Sequence, residues 1–377
     1  MRRPPSNAAL AAAILPDWQD VQLLRACLLQ KEPATRAWAA WCGAVGNPKR
    51  ELETETRGLK GILPLLDAST RAHALPGPDG MGIYLKASTL REDLRTRIIH
   101  RILLGTLEAL EADGIPYVLL GGIVAAHTVY PVPSHRHCHA IDLLAPDSAA
   151  GTLARAGFTP LTGSPGAFQH AEMLMLNLRQ DIAFHPHHQL PDGGIAARAQ
   201  PVDLGDRAAP GAGATDRLIM ALSRAASTPD RGNLRWACDV WLTAPDVDWR
   251  LFVDETVRRR LSLPFAVLCR GLAEALDAAI PAGVIARLED EAARARPIDR
   301  EAALAGALTG LSAARRALSA PGAGLPERLE IARFLALPSP QCLGWTYGPA
   351  GTVARTLQRL HRPVAYVVER TRQRLAG

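Results

Sequence analysis

The chain has 377 residues, of which 48% are apolar, and it carries a formal net charge of +6. This length predicts two or three sub-domains, and the apolar content is sufficient for a large core. No apolar run approaches the roughly 20 residues that span a bilayer, and the six cysteines form no CxxC pair. A membrane-spanning protein and a disulfide framework are therefore excluded, and reduced thiols in a cytoplasmic protein are expected. The basic balance suits an anionic partner, although an Arg-rich proteome gives the same balance.

Residues 1–112 are interpreted as a helical N-terminal region. Arg2-Arg3 and the run Ala8–Leu15 have some features of a signal peptide, but no small-residue cleavage site follows, so an N-terminal helix is predicted. Apolar residues then recur at three- and four-residue spacing, which is typical of amphipathic helices. The predicted helices are Val21–Leu29, Ala34–Val45, Leu59–Leu66 and Leu90–Glu111.

Residues 113–192 alternate strand and helix patterns and contain the most informative stretch of the chain. Its order is a strand, a glycine pair, a helix, a loop and a strand with an embedded acid: Tyr117–Leu120, Gly121-Gly122, Ile123–Tyr130, and Ala140–Leu144 with Asp142. Glycines let the backbone approach a phosphate closely, and the amides at a helix start attract anions. An acid on a strand can hold the divalent metal that accompanies phosphates. This layout predicts a site for a nucleoside triphosphate.

The remainder of this region and the next segment complete a small mixed sheet. Asp147–Ala156 is predicted to be a helix, and Glu172–Leu178 and Asp181–His185 are predicted to be strands that pair across a short turn. The segment 193–213 is rich in Gly, Pro and Ala, which predicts a linker.

Residues 214–377 are interpreted as a helical C-terminal domain. The predicted helices are Asp216–Ala226, Leu234–Leu242, Phe252–Leu276, Val284–Ala295, Arg300–Leu318 and a basic amphipathic helix over Val353–Leu375. The basic helix could track a nucleic-acid backbone or an anionic membrane surface, but no interleaved aromatic residues favour nucleic acid. The fold class predicted for the whole chain is α+β, with a small mixed β-sheet core between large helical N-terminal and C-terminal regions.

The central stretch resembles the nucleotidyltransferase superfamily that includes DNA polymerase beta, and more closely the bacterial family of uncharacterised nucleotidyltransferases. The matching residues are Gly121, Gly122, Tyr130, Pro131, Arg136, Ile141, Asp142, Leu143 and Leu144. Weaker similarity continues in the second half, where Arg235-Trp236 with Asp239 and Asp248-Trp249 resemble motifs of the family's second domain.

Three positions depart from the family pattern. Ala140 replaces the first acid of the family's Asp-x-Asp pair, Ala183-Phe184 stand where a His and a Trp are common, and Ser223-Arg224 stand where a His is common. Two acids at positions i and i+2 of a strand point to one face and can bridge two metal ions. The loss of one of them predicts nucleotide binding with weak or altered transfer.

The resemblance implies a metal-dependent transfer of a nucleotidyl group from a nucleoside triphosphate to a small molecule or peptide. Asp142 and Asp181 are the implied catalytic metal ligands for Mg²⁺ or Mn²⁺. Gly121 and Gly122 are implied to hold the phosphates, and Arg136 to neutralise their charge.

Two other hypotheses remain open at this level. Ala140 motivates a catalytically degenerate relative that binds a peptide or protein partner, and the basic balance motivates a nucleic-acid-binding protein. Two histidine groups could bind zinc or contact phosphates or an acceptor: His135, His137 and His139, and His185, His187 and His188. On a strand, His139 would point away from the face of Asp142.

Overall fold

The computed structural model describes residues 7–53, 59–162, 164–191, 193–227, 233–308, 310–340, 342–343, 351 and 356–357. These residues form an α+β fold in which helices flank a seven-stranded mixed sheet. The predicted basic helix Val353–Leu375 lies outside the described residues, apart from two of its positions.

Six helices precede the sheet, in agreement with the predicted helical periodicity. They are α1 Ala8–Ile14, α2 Trp18–Leu28, α3 Lys31–Val45, α4 Pro48–Glu53, α5 Leu63–His73 and α6 Met81–Ala112. Asp17 caps α2, because its side chain accepts a hydrogen bond from the amide of Asp20 at 3.0 Å. The long helix α6 spans both apolar cores of the protein, with Leu85 in one core and Leu103 in the other.

The sheet has the order β3-β4-β5-β2-β1-β7-β6. Its strands are β1 Val118–Leu120, β2 Ala140–Leu144, β3 Phe158–Pro160, β4 Ala167–His170, β5 Met175–Arg179, β6 Gln200–Asp203 and β7 Ala208–Gly211, with α7 Gly121–Thr128 after β1 and α8 Ala149–Arg155 after β2. In the middle of the sheet β2 runs antiparallel to β1 and parallel to β5, so Asp142 is the register partner of both Leu120 and Asn177.

Two predictions for the sheet are wrong. Asp181–His185 forms no strand, because the chain leaves the sheet after Arg179 and turns towards the C-terminal helices. The segment 193–213 is not simply a linker, since it contributes β6 and β7, and β7 pairs with β1 through Leu119 and Gly211. Glycine and proline are rare inside strands, so their abundance in this segment led the sequence analysis to miss the short antiparallel pair β6–β7 at the edge of the sheet. The division of the chain into domains stays a prediction.

Helices return after β7 and cover one face of the sheet. They are α9 Ala214–Ser227, α10 Arg235–Thr243, α11 Trp249–Arg258, α12 Ser262–Leu276, α13 Ala282–Ala293, α14 Pro297–Ala307, α15 Leu311–Leu318 and α16 Leu325–Ala336. The prediction of one helix over Phe252–Leu276 is wrong, because the chain turns between α11 and α12 with Arg260 in a left-handed conformation at φ +59°.

Strand alternation assigns the two faces of the sheet to two apolar cores. Ile141 and Leu143 of β2 point into the core that α6 and α8 share with the sheet. The opposite face, which includes Leu120, belongs to a larger core shared by the N-terminal and C-terminal helices. Asp142 therefore points towards the C-terminal helices, and this is where the cleft described below opens.

One further prediction, that of reduced and mostly buried cysteines, is confirmed. All six cysteines are free thiols, and five of them are buried. None of the helices in the described part of the chain is long and apolar enough to cross a membrane.

Candidate functional site

An open cleft with an enclosed volume of about 80 Å³ lies where the start of α7 and the start of β2 face α9 and α10. Its polar lining is dominated by charge, with four arginines and two aspartates: Arg136, Arg217, Arg224, Arg235, Asp142 and Asp239.

The glycine pair lies directly beside Asp142. Gly121 opens α7 with φ +61°, and a β-carbon on it would lie 3.0 Å from Asp142 Oδ2. A β-carbon on Gly122 would lie 2.9 Å from Arg136 Nη1. Both positions therefore exclude a side chain, one because of its backbone conformation and its acidic neighbour, the other because a guanidinium packs against it. The structure thus brings four of the predicted site residues together, and their roles in nucleotide binding stay predictions.

Asp142 is already engaged by two side chains of β5. Its Oδ1 accepts hydrogen bonds from Asn177 Nδ2 at 3.0 Å and from Arg179 Nε at 2.7 Å. Asp142 is 5% exposed, and Arg179 neutralises its charge. The second oxygen, Oδ2, faces Gly121.

The residues at this point do not fit a two-metal centre. Asp181 was expected to supply a third acid from a strand that does not form, whereas β5 places Asn177 opposite Asp142, and residue 140, two positions before Asp142, is an alanine. Arg179 binds the same carboxylate that a cation would need. Among the described residues, no three His, Cys, Asp or Glu side chains are grouped so that they could hold a metal ion. The donor set is too poor in carboxylates for a pair of divalent ions.

Asp181, the other predicted metal ligand, does not line the cleft. It is 2% exposed, and its Oδ1 accepts hydrogen bonds from Arg259 Nη1 at 2.5 Å and from the Ala183 amide at 2.6 Å. Its expected position depended on the strand over Asp181–His185, which does not form. Asp181 instead belongs to a buried ion-pair cluster with Arg259 and Glu255, which joins the end of α11 to the segment after β5.

Arg136 forms a two-pronged ion pair with Asp239 of α10. Its Nε and Nη2 donate to the two carboxylate oxygens of Asp239 at 2.9 and 2.6 Å, and the Tyr130 hydroxyl donates to the same Oδ1 at 2.9 Å. Tyr130, Arg136 and Asp239, which all belong to stretches that resemble family motifs, are thus in contact. Their hydrogen bonds connect the segment between α7 and β2 to α10. Because Asp239 neutralises Arg136, this arginine is not a free positive charge.

Three other arginines of the cleft have no carboxylate partner among the described residues. Arg217 Nη1 donates to the Ala212 carbonyl at 3.0 Å, and its buried Nε has no hydrogen-bond partner in the part of the chain that the structure describes. Arg235 donates to Asn233 Oδ1 at 2.7 Å and to the His137 carbonyl at 2.9 Å. Burial lowers the pKa of Arg217 and Arg224, and burial together with Arg136 and Arg224 lowers the pKa of Arg235 to about 10. A cluster of this kind gains stability from any bound anion.

Phe184 holds one of these arginines in the cleft. The Arg224 guanidinium carbon lies 5.3 Å from the centre of the Phe184 ring, and that of Arg179 lies 4.3 Å from it. The Phe184 amide donates to Ser223 Oγ at 3.0 Å. Ala183-Phe184 and Ser223-Arg224, the two pairs predicted to depart from the family pattern, are therefore in contact, and together they place a cation in the cleft.

A chain of hydrogen bonds enters the cleft from α6. His137 Nδ1 bonds Glu92 Oε2 at 2.5 Å, and His137 Nε2 bonds His139 Nε2 at 2.7 Å. His139 lines the cleft beside Ala140. The expectation that His139 points away from the face of Asp142 is wrong, because residues 136–139 precede β2 and strand alternation does not apply to them.

Sequence reasoning identified Arg136 but missed the other three arginines of the cleft, because they come from two helices, α9 and α10, that lie far from the central stretch in the sequence. One signal was present: Arg217 and Arg224 are seven residues apart on a single helix, which places them on one face about two turns apart. That Arg235 joins them depends on how α9 packs against α10, which no local pattern encodes.

Comparison with known proteins gives one match. The sequence model of a family described as uncharacterised nucleotidyltransferase matches residues 59–277, from just before α5 to the end of α12. No curated protein and no solved structure matches the chain significantly. The matched region contains the whole sheet and every residue of the cleft described above.

Proposed function

This chain belongs to the uncharacterised nucleotidyltransferase family, and from that premise we propose that its cleft binds a nucleoside triphosphate and that the protein transfers the nucleotidyl group to a small molecule or peptide. The observation that carries the proposal is the set of three arginines, Arg217, Arg224 and Arg235, which line the same cleft as the glycine pair and have no carboxylate partner among the described residues.

The charge of the cleft supports a polyphosphate ligand. Arg136 is neutralised by Asp239 and Arg179 by Asp142, so the excess charge resides on Arg217, Arg224 and Arg235. Guanidinium groups bind phosphates through paired hydrogen bonds, and such charge-assisted bonds are about twice as strong as neutral ones. The start of α7, where the two glycines stand, adds backbone amides of the kind that attract anions at a helix N-terminus.

The arginines also support a mechanism in which side chains, and not two metal ions, neutralise the charge of the phosphates. Transfer at the α-phosphate requires neutralisation of the charge that builds up on the phosphate oxygens and the leaving pyrophosphate. In this proposal the three arginines supply that neutralisation. Gly121 and Gly122 allow Asp142 and Arg136 to approach the start of α7 closely, and Asp142 orients Arg179.

Titration calorimetry with ATP tests the binding step, with Mg²⁺ in one series and excess EDTA in the other. We expect binding in both series, since the arginines carry the charge. Single changes Arg217→Gln, Arg224→Gln and Arg235→Gln should each weaken binding by roughly tenfold, in line with the loss of one charge-assisted hydrogen bond. Arg97→Gln is the matched control, because Arg97 is an exposed arginine that pairs with Asp93 on α6. Absence of ATP binding in both series would end the proposal.

The second candidate function is a catalytically degenerate relative that binds a peptide or protein partner. Ala140, Asn177 and the Arg179–Asp142 ion pair favour it, because together they leave no bridging carboxylates. Labelled triphosphates incubated with the protein and a panel of peptide, amine and hydroxyl acceptors discriminate the two candidates. ATP binding without label transfer to any acceptor, and without release of pyrophosphate to water, would favour the degenerate relative.

A further inference from the structure

The hydrogen-bonded chain Glu92–His137–His139 begins at a buried carboxylate and ends in the cleft. Glu92 is 5% exposed on α6, and its Oε1 has no hydrogen-bond partner within the described structure. His137 is 8% exposed, and its ring meets that of His139 edge-on with the ring centres 4.0 Å apart. A carboxylate behind two imidazoles is an arrangement in which a proton can be passed along ordered hydrogen bonds.

The direction of these bonds follows from the chemistry of the groups. An ionised carboxylate only accepts hydrogen bonds, so His137 donates from Nδ1 to Glu92. A neutral imidazole has one N–H, so His137 Nε2 is then an acceptor and His139 must donate to it from its own Nε2. His139 Nδ1 is left with a lone pair and no hydrogen-bond partner among the described residues. The Glu92 carboxylate thereby fixes the tautomer of His139, although two hydrogen bonds separate the two residues.

The surroundings disfavour a positive charge on both rings. Desolvation lowers the pKa of His139, and the neighbouring His137, Arg235, Arg95 and Arg136 lower it further. Desolvation also lowers the pKa of His137, against the opposing effect of Glu92. The Glu92 carboxylate is paired with His137 and also lies beside Arg95. It is therefore the counter-ion for a positive charge that forms on either ring.

The backbone of His137 connects this chain to the phosphate side of the cleft. Its carbonyl accepts hydrogen bonds from Arg136 Nη1 at 2.5 Å and from Arg235 Nη1 at 2.9 Å. His139 lines the cleft close to Arg235 and Arg136, and thus beside the arginines to which the nucleotide is assigned.

We propose that His139 is the general base of the transfer reaction, and that Glu92 and His137 are positioning residues that hold it in the accepting tautomer. This inference rests on the proposed function. The acceptor hydroxyl gives its proton to His139 Nδ1 while its oxygen attacks the α-phosphorus. The bond from that phosphorus to the bridging oxygen breaks, and pyrophosphate leaves with the electron pair. With water as the acceptor, the products are the nucleoside monophosphate and pyrophosphate.

Two measurements on the full chain test the proposal. The first is the ¹⁵N spectrum of the protein labelled in its histidines, which reports which nitrogen of each ring carries the proton. We expect His139 with its proton on Nε2 and His137 with its proton on Nδ1, and we expect Glu92→Gln to shift the resonances of both rings. A proton on Nδ1 of His139 would overturn the relay, whatever happens to activity.

The second measurement is pyrophosphate release from ATP with water as the acceptor, with Mg²⁺ and with excess EDTA. His139→Asn should lower kcat by about a hundredfold or more, which is the usual contribution of a general base, with the affinity for ATP unchanged by calorimetry. Glu92→Gln should lower kcat with little change in KM. His73→Asn, at the end of α5 and outside the cleft, is the matched control.

The outcomes separate this inference from the proposed function. Absence of ATP binding would refute both. ATP binding with no pyrophosphate release by the native protein, or with the native rate in His139→Asn, would refute the relay and leave nucleotide binding in place.

Discussion

Phe184 and Arg224 lie against each other in the cleft, with the guanidinium carbon 5.3 Å from the ring centre, although they are 40 positions apart in the chain. Each belongs to a pair of residues that the sequence predicts to depart from the pattern of the family. Their contact makes the two pairs one structural unit, in which an aromatic ring supports a cation beside Asp142. We expect Phe184→Leu to weaken ATP binding by severalfold while the fold is kept, because the loss of a cation–π contact amounts to about 0.5–2 kcal/mol. Calorimetry and a thermal melt of the same sample check this, and unchanged affinity would show that Arg224 is held by other contacts.

Gly121 is expected to tolerate no side chain. Gly121→Ala forces an alanine into φ +61° and pushes a β-carbon to 3.0 Å from Asp142 Oδ2. The left-handed conformation alone is unfavourable by about 1–2 kcal/mol for an alanine, and the contact with Asp142 adds to this. Urea unfolding should show this loss, and ATP binding should weaken as well. Gly151→Ala in α8 is the control, since its β-carbon would meet nothing within 4 Å, and it should be neutral or slightly stabilising.

Restoring the missing acid alone should not create a metal-dependent enzyme. Ala140→Asp adds one carboxylate, but Asn177 still stands opposite Asp142 and Arg179 still binds it. We expect no gain in Mg²⁺ dependence of pyrophosphate release from Ala140→Asp, and a gain only when Arg179→Gln is added, because a cation then no longer competes with the guanidinium. Ala140→Asn is the control for size. A Mg²⁺-dependent rate in the single variant would contradict this view of Arg179.

Asp181 is expected to act in stability rather than in metal binding. Asp181→Ala leaves Arg259, which is 1% exposed, without its closest carboxylate partner. Removal of one member of a buried ion pair typically lowers the free energy of unfolding by about 3–5 kcal/mol. The double variant with Arg259→Leu should recover part of the loss, because it removes the stranded charge. Denaturant unfolding measures both, and native stability combined with loss of Mg²⁺-dependent ATP binding would instead favour the metal-ligand role.

The buried imidazole of His188 should make the fold sensitive to mild acid. His188 is 2% exposed and its Nδ1 donates to the Arg259 carbonyl at 2.9 Å; burial, opposed by that hydrogen bond, lowers its pKa to about 3. The unfolded chain takes up this proton near the ordinary value of 6.5, so the free energy of unfolding must fall as the pH falls below that value.

The size of this effect follows from the two pKa values. Between pH 8 and pH 5, His188 should account for about 2 kcal/mol of lost stability. His188→Gln keeps a donor for the carbonyl but does not titrate, so its stability should decline less over the same range. Urea titrations at several pH values measure the difference, and parallel curves for the two proteins would refute the assignment.

Features of this protein that depend on residues close together in the chain could be predicted from its sequence. The sequence predicts β2 over the residues that form it, because an apolar run with one acid stands between a Pro-broken loop and Pro146. It also predicts that Gly121, Gly122, Arg136 and Asp142 belong together, since they lie within one strand–helix–strand unit.

What could not be predicted depends on contacts between distant segments. The position of Asp181 depends on whether the chain stays in the sheet after Arg179. It does not, and Asp181 instead forms a buried ion pair with Arg259, 78 positions later in the chain. β6 and β7 are hidden by glycine and proline, which are rare inside strands but tolerated in short edge pairs. The cleft arginines likewise come together only when α9 and α10 pack over the sheet.

Glu92 lies on α6, 48 positions before Ala140. The first residue of the proposed relay therefore comes from a helix that precedes every strand of the sheet. A fragment that begins at β1 would keep Asp142, both glycines and the arginines, yet it would present His139 without the anion that sets its tautomer. Engineering a minimal catalytic unit from this protein therefore has to begin upstream of Met81, where α6 starts.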